Sequence, residues 1–336
     1  MSLAHDGTIL LTGVAGFIGY HLAERLLAEG CRVVGVDSLN EYYDPRLKRA
    51  RLDRLLGRAG FAFRQVDLAD RARTPELFAA VRPRVVVHLA AQAGVRYSLQ
   101  NPHAYADANL AGFLDVLEGC RHHEVAHLVY APTSSVYGGN DKVPFAVQDR
   151  VDHPLSLYAA TKKADELMSE AYAHLYRIPL TGLRFFTVYG PWGRPDMMMW
   201  IFTQKILAGE PIPVFNHGEM WRDFTYIDDI VAGVVASLDN PPRDDGLAKA
   251  GGSEKPHALY NIGNHRPEPL MRYIEVLSTV LGRPAEMRML PMQPGDVKAT
   301  FADTSELERD YGWQSTTPIE VGLPRFVEWY RQFYGA

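Results

Sequence analysis

The chain has 336 residues, 47% of them apolar, enough to bury a large core in one big domain or two modest ones. Its formal net charge of -5 gives no electrostatic reason to expect nucleic acid or an anionic membrane surface as partner. The two isolated cysteines, Cys31 and Cys120, exclude a disulfide framework and a cysteine metal site, and fit a reducing cytoplasm.

The N-terminus runs almost directly into "TILLTG", so no cleavable leader is expected. Every long apolar run is broken by charge before about 18 residues, so no spanning helix is expected. From there the chain alternates short Val/Ile/Leu runs with patterns of helical period: "TILLTG", "FIGYHLAERLLAEG", "RVVGVD", "FAFRQVDL", "TPELFAAV", "RVVVHLAA", "AYADANLAGFLDVLEGC", "HLVYAPTSS", "ADELMSEAYAHLY" and "LTGLRFFTVYG". Strands apolar along their whole length predict an α/β fold of the Rossmann type, a doubly wound parallel sheet covered on both faces by helices. The expected dinucleotide domain is 1–189, with segments at about 222–264 returning to it. Beyond Tyr189 the rhythm breaks into Pro- and Gly-rich pieces, so 190–336 is expected to be mainly a smaller α+β region that selects the substrate. The polar stretch from Asn240 to His257 reads as an exposed loop.

At the first strand-to-helix turn, Gly13, Gly16 and Gly19 lack side chains where a backbone must approach a pyrophosphate at a helix N-terminus. Phe17 and Ile18 lie within that turn. The next strand ends at Asp37, eighteen residues after Gly19, where a carboxylate accepts both ribose hydroxyls and repels a 2'-phosphate. No arginine immediately follows it, so NAD is expected over NADP; Asn40 joins the cofactor candidates. Asp67 and Leu68 end the third strand, where adenine would lie, and Leu89, Ala90 and Ala91 end the fourth. The small residues there serve either cofactor approach or packing alone. Asn109 is a cofactor contact or a core polar contact.

Tyr158 and Lys162 of "YAATK" are four apart, hence on one helix face. A phenol ionises near pH 10 in isolation, so work as a base near neutrality needs adjacent positive charge. Lys162 and an oxidised nicotinamide would supply it, while Thr133 or a neighbouring hydroxyl hydrogen-bonds the oxygen whose proton leaves.

Together "TGVAGFIG", "DLAD", "HLAAQAGVR", "TSSVYG", "YAATK", "RFFTVYGPWGRPD", "RDFTYIDDI" and "YNIGN" resemble an extended short-chain dehydrogenase/reductase, and within that family the UDP-glucuronic acid 4-epimerases. The resemblance implies tightly held NAD and a UDP-sugar whose 4-hydroxyl is oxidised and then reduced from the opposite face. It implies Tyr158 as base, Lys162 as its electrostatic partner and Thr133 as hydroxyl helper. It puts Thr187 and Arg194 beside the sugar diphosphate, Arg222 on the phosphates or ribose, Asp296 near the nucleotide, and Arg96 in the substrate set. A homodimer through a four-helix interface is also implied. Two departures matter: Pro132 stands where relatives carry a small residue such as serine, and Gln293 where glucose-type enzymes have arginine.

Oxidising carbon four of a glucuronyl group makes a β-keto acid that loses carbon dioxide when its carboxylate stands perpendicular to the ketone. Ser134, Ser135 and Thr187 are therefore expected to hold the carboxylate in a non-reactive orientation, at about 1.5 to 3 kcal/mol per charge-assisted bond. Relatives that decarboxylate or dehydrate tend to carry an acidic residue in this segment, and "TSSVYG" has none. The competing readings are a UDP-glucose/UDP-galactose 4-epimerase, a UDP-glucuronate decarboxylase, and a noncatalytic dinucleotide-sensing module. "HEVAH" at 123–127 matches H-E-x-x-H formally, but the segment leaves a helix and enters a strand, so its histidines should diverge and no metal is expected. "PRLKRARLDRLLGR" reads as a solvated helix face with Leu52, Leu55 and Leu56 turned inward. "DMMMW" reads as packing, or as a border to the sugar.

Overall fold

Seven apolar runs pair side by side. A computed structural model describes residues 3–292 and 297–335. In it, β1 (Thr8–Thr12), β2 (Arg32–Asp37), β3 (Phe61–Gln65), β4 (Val85–His88), β5 (His127–Tyr130), β6 (Leu180–Phe185) and an edge strand, His257–Ile262, form one sheet. The order across it is edge strand, β6, β5, β4, β1, β2, β3, and every pair is parallel. β4 and β5 are buried at every position, as helices on both faces require. Alternation along β1 sends Ile9 and Leu11 into one core and Leu10 into the other. Each such leucine or isoleucine contributes about 1.5–3 kcal/mol on burial.

The order of connection reverses between β1 and β4, where Thr12 lies beside His88. Neighbouring connections run to opposite faces here, so a crevice opens beyond the carboxyl ends of these two strands. On one face the helices Phe17–Ala28 and Ile227–Leu238 pack together; on the other lie Arg73–Val81, Gly112–His122 and Leu157–Tyr176. The helix and strand between Ile227 and Ile262 thus belong to the large sheet. The loop before the edge strand is not wholly exposed: Ala250 is buried and its carbonyl accepts from the Leu259 amide.

The smaller region is built from short ladders, among them Thr187–Tyr189 with Phe224–Tyr226, and Trp221–Arg222 between Glu268–Pro269 and Ala299–Thr300. Trp192 and Trp200 pack against Trp329 of the helix Ile319–Tyr334, and Trp329 stacks on Phe333 of the same helix. Asp223 clasps this region to the sheet. Its buried carboxylate accepts from the amides of Asn264, His265 and Ala302 and from the Thr225 hydroxyl. No helix among the described residues is long and apolar enough to cross a membrane.

Candidate active site

The glycine turn closes on itself. Gly13 has φ +73, and a Cβ there would meet the Ala90 amide and the Leu89 carbonyl carbon at 2.8 Å, so β4 passes directly behind it. A Cβ on Gly19 would lie 2.2 Å from the Gly13 carbonyl oxygen, which fixes the helix against the turn. No side chain caps the helix and no acidic residue sits in its first turn. Its N-terminal donors are thus left for an anion, which fits a pyrophosphate. Asp37 ends β2 beside this turn, taking the Ala15 amide at 3.1 Å and the Leu39 amide at 2.8 Å. Burial pushes its carboxyl up, opposed by those amides and by the charges of Lys48 and Arg51. Asp67 is exposed just past β3, and Leu68 is buried. Phe17 faces the core, Ile18 is half-buried, and Leu89 and Ala90 are half-buried on the crevice wall.

Two of the proposed cofactor contacts are occupied by protein. Asn40 Oδ1 accepts from Lys48 Nζ at 2.6 Å, locking the loop after β2. Asn109 is buried and donates to the Gln92 carbonyl and Thr161 Oγ1, while its oxygen takes the Gln92 amide. It lies in a π-helical stretch, Ala106–Ala111, whose extra residue turns the side chain toward the neighbouring helix. Thr161 in turn donates to the Tyr158 carbonyl, so Asn109 steadies the helix that carries Tyr158.

That helix, Leu157–Tyr176, starts where Ser156 caps the Ala159 amide. Tyr158 is half-buried and meets the Tyr105 ring edge-on at 6.1 Å between centroids; Tyr105 is held by the carbonyls of Ala93 and Gly94. Lys162, one turn on, is buried, and its Nζ lies 2.6 Å from Asp165. Against this helix packs the turn Ser134–Tyr137. Thr133 bridges β5's extension to Phe185, and its Oγ1 accepts the Ser135 amide and donates to Ser135 Oγ. The third hydroxyl, Ser134, is half-buried like Ser135, whereas Pro132 is buried. Arg184 braces the turn from β6: it forks onto Glu166 at 2.7 and 2.9 Å and donates to Tyr137 Oη. Burial works against the Glu166 carboxylate, yet Arg184 holds it below the usual range.

On the smaller region's side, Thr187 and Arg194 line one cavity with Met197, Met198 and Phe224. Arg194 forks onto Asp196, which also receives the Tyr42 hydroxyl at 3.1 Å, and Tyr158 lies in the same guanidinium's field. Arg222 Nη1 donates to the Trp221 and Lys298 carbonyls. Arg96 lies over the Phe215 ring. Gln293 and Asp296 fall outside the described residues.

Two readings need correction, and one divergence is explained. The segment "PRLKRARLDRLLGR" does present a solvated face, with Arg46, Arg49 and Arg54 exposed, but Leu56 is exposed too, while Lys48 and Arg51 are buried with Leu47, Leu52 and Leu55. Arg51 donates to the Ala15 carbonyl behind the glycine turn, to Tyr43 Oη, and to the Trp192 and Gly193 carbonyls before Arg194. It ties the glycine turn to the loop before Arg194, a task that only the recurrence of 47, 48, 51, 52 and 55 along one helical stripe foreshadows. The second correction concerns Asn240–His257, described above as partly buried. The "HEVAH" histidines diverge because His123 ends a helix while His127 is buried in β5, bonded to the Leu238 carbonyl and Thr181 Oγ1.

A turn built for pyrophosphate beside a tyrosine-lysine helix, both at a sheet's switch point, defines a dinucleotide-dependent enzyme of alcohol–ketone chemistry. The chain belongs to the NAD dependent epimerase/dehydratase family, whose model matches residues 9–263. It is 49% identical to a probable UDP-glucuronate 4-epimerase of Rhizobium meliloti, over 97% of each chain. It is 46% identical to UDP-glucuronate 4-epimerase 4 of Arabidopsis thaliana, over 97% of this chain and 76% of that one. The crystal structure of UDP-glucuronic acid 4-epimerase from Bacillus cereus, in complex with UDP-glucuronic acid and NAD, superimposes with a TM-score of 0.87 at 32% identity, covering 97% of this chain and 100% of that one.

Proposed function

We propose that this chain interconverts UDP-glucuronic acid and UDP-galacturonic acid by NAD-dependent epimerisation at carbon four, without decarboxylation. The observation that carries the reading is the end-to-end likeness to the Bacillus cereus enzyme holding UDP-glucuronic acid and NAD. Gly13, Gly16, Gly19 and Asp37 hold the dinucleotide, with Asp67 and Leu68 toward the adenine. NAD supplies the acceptor for the hydrogen on carbon four and returns it to the opposite face. Tyr158 takes the proton of the 4-hydroxyl as the ketone forms and gives it back as the ketone is reduced. Lys162 supplies positive charge beside the phenolate, and Thr133 hydrogen-bonds the reacting oxygen.

Both faces of the ketone must be presented in turn while the nucleotide stays fixed. Arg194, braced by Asp196, and Arg222 grip the diphosphate end; Met197 and Met198 border the roomier sugar end. Ser134, Ser135 and Thr187 hold the uronate carboxylate away from the perpendicular alignment that expels carbon dioxide. No acidic side chain in Thr133–Gly138 is available to expel a 6-hydroxyl. The chain works as a cytoplasmic homodimer paired through the helices Gly112–His122 and Leu157–Tyr176, a reading supported by exposed Leu114, Leu167, Leu175 and Tyr176 on those two helices.

Incubating the purified protein with UDP-glucuronic acid, UDP-glucose and UDP-galactose, and reading products by proton NMR, tests the assignment. UDP-galacturonic acid is the expected product. Formation of UDP-xylose, or turnover of the neutral sugars alone, overturns it.

A further inference from the structure

Lys162 does not stand alone. Its ammonium contacts the Asp165 carboxylate at 2.6 Å, with the two side chains 3% and 0% exposed. Such a pair is costly to bury, and it is left incomplete, because Asp165 Oδ1 has no hydrogen-bond partner. The groups around Asp165 do not supply a second cation. Glu166, on its own helix, repels it and is already spent on Arg184 and Lys163. Tyr130 of β5 lies in the field of both acids. His88 of β4 feels the Lys162 charge, and burial, aided by that charge, pushes it down to about 3, so it faces the pair uncharged near neutrality.

Tyr158 precedes Lys162 by one helical turn, and Asp165 follows it by three residues. The lysine thus follows the proposed base by one turn on the same helix, with its ammonium paired to a buried carboxylate. Seen from the phenol, an ammonium in contact with a carboxylate is closer to a dipole than to a full charge. We infer that Asp165 is a positioning residue for the reaction: ionised, it holds the Lys162 ammonium back in the interior, and neutral, it releases the ammonium toward Tyr158.

Burial pushes the Asp165 carboxyl up to about 6 despite the nearby Lys162, which puts the change just below neutrality. Above that pH the carboxylate offsets the lysine; below it the lysine acts as a full cation. The inference rests on the epimerase reading, and the two can fail separately. Wild-type turnover of UDP-glucuronic acid tests the reading, and the displacement of the pH profile tests Asp165.

The experiment is kcat against pH for the NAD-loaded wild type, Asp165→Asn and Asp165→Ser. Without the carboxylate the phenol sees the undamped lysine at every pH. Above about pH 6, where the wild type carries the ionised carboxylate, the acid limb is then expected about one unit lower in both variants, and the three profiles converge below that pH. At a fixed pH on that limb kcat rises about tenfold. A limb that stays in place or moves to higher pH, or folded variants that retain NAD but have lost turnover, would overturn the role. Serine guards against any fault peculiar to the asparagine amide, and circular dichroism with bound-nucleotide analysis verifies that each variant is folded and loaded.

Discussion

Tyr158, the base of the proposed reaction, is held in place by its surroundings. The Tyr105 ring meets it edge-on, its carbonyl accepts from Thr161, and Thr161 is tethered by Asn109. Replacing Tyr158 by phenylalanine leaves the ring packing and the helix intact and removes only the proton carrier. We expect kcat to fall by about 10³ or more. NAD should remain bound at wild-type stoichiometry, because the cradle at Gly13–Gly19 is untouched; NMR of products and release of nucleotide on denaturation measure the two. The local patterns around this site were readable: the glycine triplet, the hydroxyls after β5 and the tyrosine-lysine spacing. Asp165, Arg51 and Asp196 were not, because a charged residue in a linear string looks solvated until its partner arrives from elsewhere in the fold. Asn109 shows the same limit. The sequence makes it a cofactor contact with a core polar contact as the alternative, and the amide and hydroxyl that claim it come from Gln92 and Thr161.

Among the elements, the central strands carry an acid sensitivity of their own. Burial pushes His127 of β5 down to about 4 and, with the charge of Lys162, His88 of β4 down to about 3. Both folded values lie below the ordinary 6.5. The unfolded chain therefore binds protons that the folded one refuses, and stability present above about 6.5 is lost as pH falls toward the folded values, by up to about 1.4 kcal/mol per proton per pH unit. Asp165, raised to about 6, works in the opposite sense between about 6 and 4, and offsets part of the loss. The melting temperature is expected to drop between pH 7.5 and 5. His127→Gln should flatten that slope while lowering the pH 7.5 value, and calorimetry at the two pH values checks both. At this scale the strands were legible because burial on both faces leaves runs such as "VVVH" with no polar alternation. The helix Pro45–Asp53 was misread for the converse reason. Its buried positions Lys48 and Arg51 are cationic, and a hydropathy stripe does not register a charge whose donors are satisfied by carbonyls of distant loops.

For the whole molecule, the open question is what covers the outer side of the helices Gly112–His122 and Leu157–Tyr176. Leu167 and Leu175 are 61% and 64% exposed there, more than isolated packing accounts for. Pairing of two copies through these helices predicts that Leu167→Glu combined with Leu175→Glu yields a monomer by sedimentation or light scattering, with NAD still bound. An unchanged oligomer, or a wild type that is already monomeric, rejects that arrangement. Readable from the linear string is the local grammar: alternating strands and helices, the glycine turn, the tyrosine-lysine helix and the hydroxyl turn, each a pattern within about twenty residues. The partners of the buried charges are visible only once the chain is folded, since Arg51 reaches from residue 51 to 193, Arg184 to the Val147 carbonyl, and Asp223 to Ala302. The physical reason is burial. A short-range pattern reports periodicity and backbone freedom, whereas the pairing of a buried polar group depends on which partner chain geometry brings within about 3 Å.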